Sequence, residues 1–292
     1  SSAASDVYKR QPHLDPLPRG VVLAATPLGN IGDASLRLIQ ALQDADVIAA
    51  EDTRRARALA DALGVSPRGT FVSNFDHNEQ ERLPRVLDAA RSGTVLVVTD
   101  AGMPVVSDPG YVLVQAAVEA GVPVTCLPGP SAVTTALALS GLGVGKFSFD
   151  GFAPRKDGPR AKWLESLKGQ NRATVFFESP HRLAATLAVA AEVLGAEHPA
   201  AVCRELTKTF EEVRRGGLGE LAEWAEDNAR GEIAVVLDAA GEDAVDIDKL
   251  VAQVAELTAG GMRLKAACKQ VAAGTEVSNR ELYDAAVSAK QN

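Results

Sequence analysis

Three loops rich in glycine and proline each follow an apolar run, and this pattern constrains the fold more than any other feature of the chain. TPLGN at 26–30 follows GVVLAA at 20–25, DAGMPVVSDPG at 100–110 follows TVLVVT at 94–99, and PGPSA at 128–132 follows VPVTCLP at 122–128. Continuous apolar runs of this length read as strands buried on both faces, as in a parallel sheet. Between them lie DVIAAE at 46–51 and TFVSN at 70–74, read as further strands. A helix carries Leu36, Ile39 and Leu42, with Asp33 and Ser35 offering N-cap oxygens, a second spans about 53–63, and a third holds Pro84 awkwardly inside it. Strands alternating with helices define an α/β layer fold, in which ligands bind beyond the carboxyl ends of the strands. Three such loops at three strand ends imply one crevice, where glycine lets backbone approach a ligand and proline stiffens the approach.

The alternation continues with a different texture over 146–241, where FSFDGF, ATVFFES, AAVCREL, FEEVRRG and GEIAVVLD read as strands and 158–168, 181–194 and 218–228 as helices. Two α/β domains are expected, 19–144 and 145–241, with the glycine-rich GLGVGK at 141–146 between them. Residues 242–292 read as an acidic linker and two or three amphipathic helices, the last capped by Ser278. Their outline is either a helix-turn-helix or a packing hairpin. Residues 1–18 show no periodicity and read as a disordered tail or cloning remnant.

Composition narrows the chemistry. Cys126, Cys203 and Cys268 are far apart and form no CxxC pair, which argues against a disulfide framework or zinc–cysteine site and fits a reducing cytoplasm. Four histidines without HxxxH spacing do not form a metal centre, so no metal is expected. No apolar run reaches the ~18–20 residues of a membrane span. The net charge of −8 is wrong for a protein that coats bare nucleic acid, unless its basic residues are concentrated locally.

None of the three loops is GxGxxG or GxxxxGK[ST], so the phosphate-cradling nucleotide folds lack support. In their order and spacing, TPLGN, EDTRR at 51–55, DAGMPVVSDPG and LPGPSA at 127–132 resemble the tetrapyrrole methylase superfamily. The resemblance covers about residues 20–240 and implies a two-domain α/β fold with S-adenosylmethionine in the inter-domain cleft, followed here by a small helical extension. GFAPRK at 151–156, FFESPHR at 176–182, CRELTK at 203–208 and EEVRRGGLGEL at 211–221 resemble one branch, which 2′-O-methylates a cytidine in the decoding centre of 16S rRNA. Tetrapyrrole enzymes typically carry a GDP-type loop where this chain reads AGMP, a departure that counts against a porphyrinoid acceptor.

Carried over residue by residue, the resemblance implies that Asp100, Ala101, Gly102, Met103 and Val106 lie against the cofactor's methionine portion, with Ser131, Ala132 and Pro27 nearby and Glu178 and Gly216 on the adenosine side. A homodimer is implied in the same way. Methyl transfer from a sulfonium is an in-line displacement that requires alignment rather than covalent or metal chemistry. A ribose hydroxyl is a poor nucleophile, so a general base is worth considering. The candidates are Glu51, Asp52, His77, Glu178, His181 and Glu205. Glu51 and Asp52 follow a strand directly, and adjacent residues on an extended chain point to opposite sides, so one of them faces the crevice. Asp52 can instead cap the helix that starts at Thr53.

Basic residues cluster at 54–57, 155–172, 204–215 and 263–269 in a chain that is otherwise acidic. Such patches suit a specific RNA surface, with solvated helix faces as the alternative. The expected contacts to the small ribosomal subunit are Arg54, Arg155, Lys156, His181, Arg182 and Arg204. Aromatics make up only 4% of the chain, yet Phe152, Phe176 and Phe177 can take a flipped base. Two other readings stand beside this one: a methyltransferase of a small porphyrin-like molecule, and a non-catalytic module that binds nucleic acid through its helical tail.

Overall fold

A computed structural model describes residues 14–73, 79–239, 247–273 and 277–289. His77 lies outside the described residues, as do most of the expected tail and the linker at 242–246. Of the residues read as tail, 14–18 lie on the fold: Leu17 packs against the first core, and Thr94 Oγ1 donates to the Pro18 carbonyl at 2.8 Å.

The first layer is a parallel sheet of β1 (Gly20–Ala24), β2 (Val47–Ala50), β3 (Thr70–Ser73), β4 (Thr94–Val98) and β5 (Val124–Leu127), in the order β3-β2-β4-β1-β5. Successive residues of β1 alternate between two cores: Val22 and Ala24 join Leu38 and Leu42, while Val21 joins Leu113 and Ala117. Helices α1 (Leu36–Asp44) and α2 (Thr53–Ala62) cover one face, and α3 (Glu79–Ser92) and α4 (Tyr111–Glu119) cover the other. Ser35 caps α1 by accepting the Leu38 N–H at 3.0 Å. Pro84 stays inside α3 on its exposed side. Neighbouring strands β1 and β4 feed helices on opposite faces, which creates the switch point where open α/β sheets place their ligands. Thr26 and Gly102, just past these strands, exchange two backbone hydrogen bonds of 2.9 and 3.0 Å that fasten the two loops together.

The second sheet is mixed, in the order β6-β7-β10-β8-β9: β6 (Phe147–Phe152), β7 (Ala173–Glu178), β8 (Pro199–Arg204), β9 (Glu212–Gly217) and β10 (Ile233–Leu237). Only β6 and β7 run parallel. One face is buried by α6 (Asp157–Glu165), α7 (Pro180–Leu194) and α8 (Leu218–Asn228) around Phe176, Leu183 and Leu221. The other face is covered by α5 (Ala132–Ser140), whose Val133, Ala136 and Leu137 pack on Val175, Ala201 and Val236. Although α5 precedes the glycine-rich stretch at 141–146, it is packed on the second sheet. Arg215 of β9 caps the carboxyl end of α5, donating to the Ser140 carbonyl at 2.9 Å and to the Leu139 carbonyl.

Helices α9 (Ile247–Ala259), α10 (Leu264–Ala272) and α11 (Asn279–Ala289) close around a separate small core of Leu250, Val254, Cys268 and Leu282. Ser278 accepts the Glu281 N–H at 3.1 Å. Among the described residues no helix is long and apolar enough to cross a membrane.

Candidate active site

The two sheets enclose a cavity of about 430 Å³, within the range of small-molecule sites. The first layer contributes Leu28 after β1, Glu51 and Arg55 after β2, and Asp100–Met103 and Val106–Asp108 after β4, and the start of α5 adds Ser131–Val133. The second layer contributes Phe152, Phe177–Pro180, Leu206 and Gly231–Ala234. The crevice inferred from the loops is therefore one site, and its opposite wall comes from the other sheet.

Asp100 organises the polar end. Its backbone N–H donates to Glu51 Oε2 at 3.1 Å, its Oδ1 accepts the Asp52 N–H at 3.3 Å, and its Oδ2 pairs with the Arg55 guanidinium at 3.0 Å. Gly102 sits at φ +81°, where an added Cβ would come 3.4 Å from the Leu28 side chain and fill the space between the first and third loops. In the same loop Val105 and Ser107 adopt positive φ of 74° and 63°, which for a β-branched residue is a strained conformation.

Of the residues expected at the cofactor, Asp100, Ala101, Gly102, Met103, Val106, Ser131, Ala132 and Glu178 line the cavity. Pro27 does not; its neighbour Leu28 does. Gly216 is also outside, paired with Ala200 in the β8–β9 ladder and covered by the Glu220 carboxylate. Glu178 is fully buried, and its oxygens are taken by the Ser179 N–H at 2.7 Å, Thr186 Oγ1 at 2.7 Å and Arg182 at 2.5 Å. Its carboxylate therefore fixes the 178–182 turn.

The adjacent acids separate as the alternation requires. Glu51 lines the cavity, whereas Asp52 turns away to cap α2, accepting the Arg54 N–H at 2.8 Å and pairing with the Arg54 guanidinium at 2.8 Å. Those bonds from Arg54 hold the Asp52 carboxyl down at about 2.

The expected RNA contacts divide by partner. Arg54 is paired with Asp52, Arg182 with Glu178, and Arg204 with Glu212 opposite it in the β8–β9 ladder at 2.5 Å. These three carry ion pairs that the basic clusters alone concealed, and the Arg54 side chain stays 89% exposed. Arg155, Lys156 and His181 are exposed on the rim of the second sheet, at the starts of α6 and α7. Arg182 also reaches the Ala153 carbonyl at 3.4 Å, tying the 153–156 loop to the 178–182 turn. Phe176 is completely buried, Phe177 half-buried and Phe152 largely exposed, so the three aromatics are not equivalent.

Sequence reasoning missed Arg55, Ser107, Asp108, Leu206 and Ile233 as lining residues. Arg55 closes the EDTRR segment and Leu206 lies inside CRELTK, so both carried a signal. Ile233 opens an ordinary core strand and carried none.

Two α/β layers joined over a cleft, with glycine-loop edges on one side and a strand-end wall on the other, define a methyltransferase class of which sequence comparison gives the family. The tetrapyrrole (corrin/porphyrin) methylase signature matches residues 20–222, and the chain belongs to that family. It is 56% identical over 273 residues to the ribosomal RNA small subunit methyltransferase I of Mycobacterium bovis, covering 93% of this chain and 95% of the relative. With the protein of the same name from Bacillus subtilis it shares 38% identity, over 90% and 92% of the two chains. Among solved structures, the uroporphyrin-III C-methyltransferase of Thermus thermophilus complexed with S-adenosyl homocysteine superposes with a TM-score of 0.51 at 20% identity, covering 77% of this chain and 98% of that one. This last likeness concerns the fold.

Proposed function

We propose that this protein methylates small-subunit ribosomal RNA using S-adenosylmethionine, and that its acceptor is the 2′-oxygen of a cytidine ribose in the decoding centre of 16S rRNA. The observation that carries the reading is the cavity between the two sheets, with Phe152 in its lining and exposed Arg155, Lys156 and His181 close by in the chain at the starts of α6 and α7. The full-length similarity to enzymes named for small-subunit rRNA supports the same choice.

The cavity fits the cofactor. Asp100 and Glu51 offer carboxylates to a cationic ligand, Arg55 offers a guanidinium to a carboxylate, and Met103, Val106, Leu206 and Ile233 offer apolar walls. Asp100, Ala101, Gly102, Met103, Val106, Ser131 and Ala132 would hold it. When bound, S-adenosylmethionine supplies an electrophilic methyl group for in-line displacement. The chain aligns the acceptor oxygen between the two layers and offers Glu51 as the acceptor of the 2′-hydroxyl proton. Positive φ at Val105 and Ser107 after β4, and at Glu205 and Thr207 after β8, marks a strained loop in each layer. A homodimer belongs to this reading through the superfamily resemblance.

The test is transfer of labelled methyl into small ribosomal subunits that lack the modification, with free 16S rRNA and uroporphyrinogen in parallel. Label at one ribose 2′-oxygen of the particle is the expected result. Label in the macrocycle alone would overturn the rRNA reading, and label on a base or another nucleotide would overturn the cytidine 2′-oxygen.

A further inference from the structure

Phe152 is a large aromatic side chain left 59% exposed at the edge of the cavity. Its position depends on an irregularity in the sheet. Strand β6 pairs in register with β7 at Phe147–Ala173, Ser148–Thr174 and Phe149–Val175, and then resumes at Phe152–Phe177. Two residues of β7 are thus matched by three of β6, so one extra residue is accommodated at Asp150–Gly151, where Gly151 takes φ +70°. In a regular strand Phe152 would point to the face opposite Phe149. The bulge returns it to the same face, where both rings meet Phe177 edge-on, at centroid distances of 5.0 Å for Phe149 and 5.6 Å for Phe152. Gly151 itself lies against Ser107 of the opposite wall, an added Cβ coming within 3.3 Å of its Oγ. Bulges beside functional sites commonly re-aim a side chain in this way.

We infer that Phe152 is the stacking platform for the base of the acceptor nucleotide, and so a positioning residue for the RNA substrate; this rests on the function proposed above. Its edge is fixed by Phe177, its other surface is open, and the exposed Arg155 and Lys156 follow three and four residues later to meet the phosphates on either side of that base. Sequence-specific RNA recognition takes unpaired bases onto aromatic faces in this way. The adenine of the cofactor is the other planar ring that would accept such a face. The outward exposure of Phe152 and its neighbouring cations favour the polyanion.

Steady-state methyl transfer into unmodified small subunits tests the assignment, with S-adenosyl homocysteine affinity measured in parallel by calorimetry. Phe152→Ala is expected to raise KM for the particle roughly 5- to 150-fold, the range for loss of one base–aromatic stack, and to leave cofactor affinity within about twofold of wild type. Phe152→Tyr is expected to restore KM, and Phe152→Leu, which keeps the apolar contact with Phe177 but has no ring, is not. An unchanged KM in Phe152→Ala, or full rescue by leucine, would overturn the platform. A parallel loss of cofactor affinity would reassign the ring to adenine. A folded wild-type enzyme that transfers no methyl to the particle would overturn the proposed function itself, whereas normal wild-type transfer with an indifferent Phe152 would overturn the platform alone.

Discussion

The backbone N–H of Asn30 donates to Thr207 Oγ1 at 3.1 Å across 177 positions of sequence, joining the first loop of one layer to the β8 loop of the other. Beside it Gly29 lies so close to Lys208 that an added Cβ would fall 2.2 Å from its Cγ, and Lys208 in turn pairs with Glu205 at 2.9 Å and Glu232 at 3.0 Å. This clasp holds the cleft at a set width. Thr207→Val removes the acceptor and keeps the shape. It is expected to weaken S-adenosyl homocysteine binding roughly 2- to 10-fold, in line with one hydrogen bond worth about 0.5–1.5 kcal/mol. Calorimetry reads the affinity directly, and an unchanged value would mean that the cleft width is set elsewhere.

Glu51 and Asp52 are adjacent but are expected to respond very differently. Glu51→Gln, which can still accept the Asp100 N–H, is expected to lower kcat roughly 10²- to 10⁴-fold with cofactor affinity retained. Asp52→Asn is expected to cost less than about tenfold, because its carboxylate faces Arg54 and not the cavity. Single-turnover rates on the same particle separate the two, and a larger loss at Asp52 would exchange their roles.

The same aspartate gives a pH dependence. Its folded value of about 2 lies below the ordinary 3.8, so its contribution to stability is complete above about pH 4 and is lost as the pH falls towards 2. The difference in melting temperature between wild type and Asp52→Asn is therefore expected to stay level from pH 5 to pH 8 and to shrink below pH 4. A difference that changes steadily across pH 5–8 would contradict the assignment.

Removing Glu178 strands Arg182. Breaking a buried ion pair from one side costs about 3–5 kcal/mol, and the quarter exposure of the Arg182 side chain places Glu178→Ala near the lower end. Thr186→Val removes one partner only and is expected to cost about 1–2 kcal/mol. Urea midpoints at constant m measure both, and equal effects would show that the ion pair contributes nothing beyond a hydrogen bond.

Arg155 and Lys156 are expected to act through charge. Replacing both with alanine should make the dependence of log K on log salt for particle binding shallower by roughly 1.4–1.8, the release from two phosphates. Unchanged slope would remove them from the RNA surface.

Much of this was legible because apolar runs bounded by glycine and proline leave few options: every strand read from the chain is present, and the three loops meet at the site. The partners of the arginines were less legible. Arg182 stands four residues after Glu178, a spacing visible in the sequence, but the burial that turns it into an anchor is not. Arg204 meets Glu212 only because β8 and β9 pair in that register. The aim of Phe152 was hidden for a sharper reason. A period of two predicts the wrong face, and one additional residue, which no local pattern announces, reverses the prediction.

Helix α5 starts in the cleft at Ser131–Ala132 and finds its burial on the second sheet. The structural seam between the two halves consequently passes through the binding site and not through the glycine-rich stretch at 141–146. A protein divided at that stretch would part the helix from its packing partner, whereas one divided just before Ser131 would yield two self-consistent fragments with half a cavity each. Each half carries only part of the lining, so the cavity exists only where both are present.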